Sequence, residues 1–254
     1  MKIMIVKGMS YEEIRKECIQ DEEEISPRAF KIIENNKSIK KFIKERNKYC
    51  LLRKPSSYSF KHFTLTSKNN NTVLILPSYN VSEKRFYLTA YVLYNFGSGI
   101  YAAHISHSMS NFNRKSIQIY TPHYLDRFRE RSLKDINISK FNVLQEITKA
   151  SEELADNSIM GIKFEGSSIP KDLLENLKSK YPGNHIILPV KDKGISICEA
   201  NLSIDYDIVI HKTFLSLDIL KSNQKKDLDS MIDITEAYNS LLDFCKLSNI
   251  KERD

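Results

Sequence analysis

The chain has 254 residues, 41% of them hydrophobic and 28% charged, with a formal net charge of +7, a balance that excludes a disordered polyelectrolyte and allows a sizeable core in one large domain or two small ones. No apolar run reaches the ~20 residues a membrane-spanning helix needs, and the apolar start at residues 1–6 is too short for a signal sequence. Cys18, Cys50, Cys198 and Cys245 are too widely spaced for a zinc ribbon or disulfide scaffold, so a cytoplasmic protein with reduced thiols, no cofactor and no membrane partner is expected.

Ser10 and Glu13 have the spacing of a capping box and predict a helix over 10–20, ended by the acidic run Asp21-Glu22-Glu23-Glu24. Ser26-Pro27 then predicts the start of a second helix, with Ile32, Ile33, Ile39, Phe42 and Ile43 on its apolar side. This helical pair, within residues 1–50, reads as an N-terminal appendage or lid. From residue 58 the pattern changes to period two. Strands are expected at 59–66, 72–76, 85–95, 99–106 and 116–120, separated by turn clusters at 68–71, 77–80 and 95–99. Short connections make this an antiparallel meander.

Helices are expected again at 140–156, with Phe141, Leu144, Ile147 and Leu154 on the apolar side, and at 170–180. Three strands at 186–190, 194–201 and 206–217 follow, then a helical tail over 218–254. The expected fold is therefore α+β: an antiparallel β-meander core with helices packed on it, an N-terminal helical pair and a C-terminal helical tail. With no evident linker, a single composite domain over 1–254 is expected, its mixed core at 58–217.

The stretch from Ile119 to Leu133 carries the strongest chemical signal. Gln118, Ile119 and Tyr120 read as a strand end, Thr121 as an N-cap and Pro122 as the first residue of a helix. At about 100° per residue, His123, Arg127 and Arg131 fall on one side with Glu130 and Lys134, while Tyr124, Leu125 and Phe128 fall on another. An imidazole beside a helix start stays neutral and accepts a proton, and guanidinium groups one and two turns along hold phosphate without a metal. The same residues also suit a solvated surface helix whose arginines pair with Asp126 and Glu130.

The pattern His123, three residues, Arg127, two residues, Glu130-Arg131, introduced by a strand and a small N-cap residue, resembles the histidine/arginine helix of small toxin-like proteins in the barnase, colicin and RelE-like ribonuclease group, particularly its BrnT-like branch. The resemblance covers about fifteen of the 254 residues. It implies a helix packed on a small antiparallel sheet and RNA cleavage without metal. This chain is longer than those toxins and carries its helix in mid-chain.

Charge is unevenly distributed. From Lys40 to Lys134 there are 17 Lys or Arg against Glu45, Glu83, Asp126 and Glu130, a net of +13, and 16 of the 25 Phe and Tyr lie in the same segment. Basic residues interleaved with aromatics suit a nucleic-acid surface, although tyrosine and phenylalanine are also ordinary strand residues. His104-Ile105-Ser106-His107 offers a second imidazole in His104. A shared metal is disfavoured, because residues three apart on a continuous strand point to opposite faces. His211, on a strand built from Ile208, Ile210 and Phe214, is expected to be exposed, the alternative being a polar contribution with Lys212 and Thr213 to the same cleft.

These residues point to an RNA-directed protein. Its enzymatic form would be a toxin-like or defence-type metal-independent endoribonuclease, with His123 and His104 in proton transfer and Arg127, Arg131 and Glu130 around the phosphate. Lys84, Arg85, Arg114, Lys115, Arg129 and Lys134 are the expected nucleic-acid contacts. A non-catalytic nucleic-acid-binding module and a structural or partner-binding protein are the other classes. RNA is the expected partner, and a protein partner or antitoxin is left open.

Overall fold

The computed structural model describes residues 4–48, 57–81, 84–97, 99–107, 115–152, 162–163, 185–190, 193–202, 207–220 and 222. The protein is α+β, as its alternation of periodicities predicts, and it divides into two compact units, Met1–Ile105 and Ser106–Asp254. The expected helix at 170–180 and the tail beyond residue 222 lie outside the described residues.

The first unit opens with α1 (Tyr11–Asn35), and both hydrogen bonds of the Ser10–Glu13 capping box are present. α1 runs straight through the acidic cluster and through Pro27, where a boundary was expected. Pro27 and Glu23 are both exposed, so the proline ring clears the core and the carbonyl that loses its helical partner is open to water. The break comes instead at Asn36, whose backbone is extended and whose side-chain oxygen accepts from the amides of Ser38 and Ile39 to start α2 (Lys37–Lys48). Nor is α1 a lid: Ile14, Cys18, Ile25, Ala29 and Ile33 are all buried.

Under α1 lie β1 (Ser57–Ser59), β2 (Phe63–Thr66), β3 (Thr72–Asn80), β4 (Arg85–Asn95) and β5 (Ile100–His107). They pair antiparallel in the order β1-β3-β4-β5, with β2 also on β3. The expected strand at 59–66 is thus two short strands. The expected turn at 77–80 is instead a continuation of β3. Pro77 is tolerated there because it faces the gap between β2, which ends opposite Ile75, and β1, which begins opposite Ser78, so its missing N–H removes no ladder bond. Its carbonyl points the same way and accepts from the Phe60 amide at 2.9 Å.

The acidic run of α1 clamps the β2–β3 turn. Asn71 donates to Asp21 at 2.6 Å and accepts from the Ile5 amide, Asn69 donates to Glu17 at 2.9 Å, and the Lys68 amide donates to Glu24 at 2.7 Å. Burial raises the carboxyl pKa of both Glu17 and Asp21, and Asp21 is only 1% exposed.

The second unit comprises β6 (Lys115–Tyr120), α3 (Pro122–Phe128), a π-helical turn (Arg129–Leu133), α4 (Lys140–Glu152), β7 (Ile162–Lys163), β8 (His185–Val190), β9 (Gly194–Leu202) and β10 (Asp207–Ser216). Its strand order is β6-β10-β9-β8-β7. Pairing is antiparallel except between β6 and β10, which run parallel with Ile208 opposite Ile117 and His211 opposite Tyr120. With neighbours on both sides, β10 is buried almost throughout and reads as a near-continuous run rather than an alternation.

Candidate functional site

α3 is placed by its cap. The Thr121 hydroxyl accepts from the Tyr124 amide at 3.2 Å and donates to the His211 carbonyl at 2.9 Å, and the Thr121 amide donates to that same carbonyl at 3.2 Å. One residue thus starts the helix and ties it to β10. The apolar side foreseen for the helix is the buried one: Tyr124, Leu125 and Phe128 are all buried. Tyr124 and Phe128 pack on Phe214, with the Phe128 and Phe214 ring centroids 4.9 Å apart.

The polar side carries the expected residues. His123 is exposed, and its Nε2 lies 3.4 Å from the Thr213 hydroxyl of β10. Arg127 pairs with Glu130 at 3.0 Å, and Arg129 pairs with Asp126 at 3.2 Å. Lys140 of α4 also reaches Asp126, at 3.5 Å. Arg131, in the π-helical turn, donates to the Phe214 carbonyl at 2.7 Å, which anchors the turn to β10 and uses one of the guanidinium group's five N–H donors. Lys134 ends that turn in the left-handed region and is exposed.

The other site candidates belong to the first unit or lie outside the described residues. His104 belongs to the first unit, where its Nδ1 donates to the Ala90 carbonyl at 3.1 Å and its ring packs on Tyr91. Lys84 and Arg85, at the start of β4 in the same unit, are exposed. Arg114 and the side chains of Lys115 and His107 lie outside the described residues. Among the described residues, no group of three or more His, Cys, Asp or Glu is arranged to hold a metal ion. No described helix is long and apolar enough to cross a membrane.

The reading of His211 as exposed is overturned. It is 5% exposed, stacked on Tyr120 with centroids 4.2 Å apart and edge-on to Tyr124. Its Nε2 lies 2.8 Å from the Gln118 side-chain oxygen and its Nδ1 2.7 Å from the Ser196 hydroxyl, which in turn lies 3.2 Å from the Cys198 thiol. An acceptor at Gln118 requires the Nε2–H tautomer, so Nδ1 takes the serine proton and the thiol donates to the serine oxygen. Burial pushes the His211 pKa down to about 3 and that of the Cys198 thiol up to about 12. The group is a neutral hydrogen-bond chain beside α3, buried at His211, Ser196 and Cys198 and half-buried at Gln118.

Two features hid this from a sequence reading. The β6–β10 pair joins residues about ninety positions apart, so nothing local says that His211 will sit opposite Tyr120. A β-bulge between His211 and Thr213 also interrupts the alternation of β10, so that His211 and Phe214, three apart, both meet α3. The short His211-Lys212-Thr213 polar run inside an apolar strand was the available signal.

Taken together, α3 offers an exposed imidazole beside a hydroxyl, and a row of guanidinium groups already engaged by Glu130, Asp126 and Phe214. Such a surface can accept a proton and can exchange a carboxylate partner for a phosphate. No protein-family model, curated protein or solved structure matches this chain.

Proposed function

We propose that this protein binds RNA, and that the polar side of α3 is a phosphate-contacting surface of the second unit. The observation that carries the reading is that His123 is exposed and Arg127 half-exposed on a helix whose opposite side is locked into the core by Tyr124, Leu125 and Phe128. From Thr121 to Lys140 there are five Lys or Arg against Asp126, Glu130 and Asp135. That local excess attracts phosphate even with the internal ion pairs formed, and those pairs, being partly open to solvent, can exchange a carboxylate for a phosphate.

A second reading, the toxin-like metal-independent endoribonuclease, is favoured by the 3.4 Å approach of His123 to Thr213. An exposed imidazole whose Nε2 meets a fixed hydroxyl is oriented for proton transfer with a 2′-hydroxyl. Binding and cleavage separate in one experiment: a mixed RNA pool is titrated and incubated with the wild type and with His123→Ala, with and without EDTA. Salt-sensitive binding without cleavage supports the first reading. Cleavage lost in the variant and indifferent to EDTA supports the second. Failure to bind RNA at low salt sinks both.

A further inference from the structure

The two helices of the first unit arrange their surface charges differently. On α1 the signs are interleaved: Lys16 meets Glu12 at 3.1 Å and Arg28 meets Glu24 at 2.8 Å, each pair four residues apart. Glu12 and Glu13 also lie in its first turn, where the helix dipole favours negative charge. On α2 neither device is present. It begins with Lys37, has no acidic residue in its first turn, and carries Lys37, Lys40, Lys41 and Lys44, all exposed. At about 100° per residue these four share an arc of about 100° and span roughly 10 Å along the axis. Lys37 is thus set against Lys40 and Lys41, and Lys44 against the same two, as like-charge neighbours that destabilise a helix. Glu45 reaches Lys41 at 3.9 Å, whereas Lys37, Lys40 and Lys44 form no ion pair among the described residues.

The other side of α2 holds the helix in place. Ile39, Phe42 and Ile43, nearly opposite the lysines, are half-buried, and the Phe42 ring meets Tyr58 and Phe60 edge-on with centroids 5.1 and 5.6 Å apart. Asn36 caps the helix start through the Ser38 and Ile39 amides. Packing and the cap therefore hold α2, and the lysines add repulsion. Because its apolar side is already engaged, α2 cannot sink into a lipid surface as a free basic amphipathic helix does. What it offers is a row of ammonium groups, which act on phosphates as point charges.

We propose that the lysine side of α2 binds the RNA phosphate backbone, whatever the base sequence and whether the RNA is single-stranded or duplex. The proposal rests on the RNA reading above and gives the first unit a contact of its own, in addition to that of α3 in the second. Phosphates laid along the stripe replace the repulsion among its ammonium groups by attraction and release counterions condensed on the RNA, so the contact is read as a salt dependence.

The test measures binding of the full chain to a fluorescent oligouridylate and to an RNA duplex of equal length over a range of salt. The proteins are the wild type, the fourfold variant Lys37→Gln, Lys40→Gln, Lys41→Gln, Lys44→Gln, its counterpart with Arg at the same positions, and the single variants Lys40→Gln and Lys16→Gln. Gln and Arg match Lys in helix propensity, so α2 is kept, and Lys40→Gln carries the same test if the fourfold change unfolds the chain. The fourfold Gln variant should bind both RNAs more weakly, with a slope of log affinity against log salt shallower by roughly 0.7–0.9 per lysine. The Arg variant should retain the wild-type slope, Lys40→Gln should lower it by about 1 or less, and Lys16→Gln should leave it unchanged. An unchanged slope in the fourfold Gln variant, or equal losses from Lys40→Gln and Lys16→Gln, overturns the assignment to α2 while the RNA reading stands. So does a Gln variant that keeps RNA binding and loses binding to phosphatidylserine-containing vesicles, which assigns the stripe to a lipid surface. No binding of either RNA by the wild type at low salt overturns the RNA reading itself.

Discussion

Arg131 donates from its guanidinium to the main-chain carbonyl of Phe214 at 2.7 Å, across 83 positions of sequence. The residue expected to reach for a substrate phosphate is thereby also a bracket between the π-helical turn and β10. A charged donor to a partly buried carbonyl is worth about 1.5–3 kcal/mol. Arg131→Ala should lower the stability of the second unit by that order, read from urea denaturation. Arg127→Ala, which removes only an exposed pair with Glu130, should change stability by under about 1 kcal/mol. Equal losses in the two variants would remove the bracket assignment.

If the second reading holds, His123→Ala should reduce RNA cleavage by roughly 10²- to 10⁴-fold while RNA affinity changes little, because general acid–base catalysis acts in the transition state. DNA should be bound and left intact, since it lacks the 2′-hydroxyl. Cleavage that survives the substitution would move the chemistry away from α3.

The two units should respond to pH in opposite directions. His211 is held at about 3 against an ordinary value of 6.5, so the unfolded chain takes up its proton first as pH falls. The stability contributed by neutral His211 is complete above about pH 6.5 and is lost progressively toward pH 3, by about 2 kcal/mol at pH 5 from the 1.36 kcal/mol per unit. Glu17 and Asp21 have raised values, so the folded first unit holds their protons more tightly than the unfolded chain does. That contribution is present at low pH and is lost as pH rises through their folded values. Hydrogen exchange at pH 7 and pH 5 should show β10 less protected relative to α1 at the lower pH, and an unchanged ratio would contradict the assignment.

Gly194, at the start of β9, has φ +145, and a Cβ there would collide with the Leu215 carbonyl of β10. Gly194→Ala combines backbone strain with that collision and should cost at least about 1–3 kcal/mol. Gly97, also at positive φ but with open space around it, should cost less when changed to Ala. Thermal melts of the two variants compare the effects directly, and a larger loss at Gly97 would count against the β9–β10 register.

By itself the sequence determined what depends on neighbours within a turn or two. The capping box at Ser10 and Glu13, the Thr121-Pro122 start of α3, its split into a buried Tyr124-Leu125-Phe128 side and a polar His123-Arg127 side, and the strands β4, β5 and β6 all follow from local spacing. Only the tertiary structure decided what depends on contacts between distant segments. The acidic run at 21–24 looked like a helix end because a local reading cannot see the β2–β3 turn, whose Asn69, Asn71 and Lys68 amides engage Glu17, Asp21 and Glu24 and let α1 continue. His211 looked exposed because alternation assumes an unbroken strand with one wet face, whereas β10 lies between β6 and β9 and carries a bulge. The partners that make a buried imidazole tolerable, Gln118 and Ser196, are 93 and 15 positions away, and burying it without them would leave polar atoms unpaired at a cost no local pattern encodes.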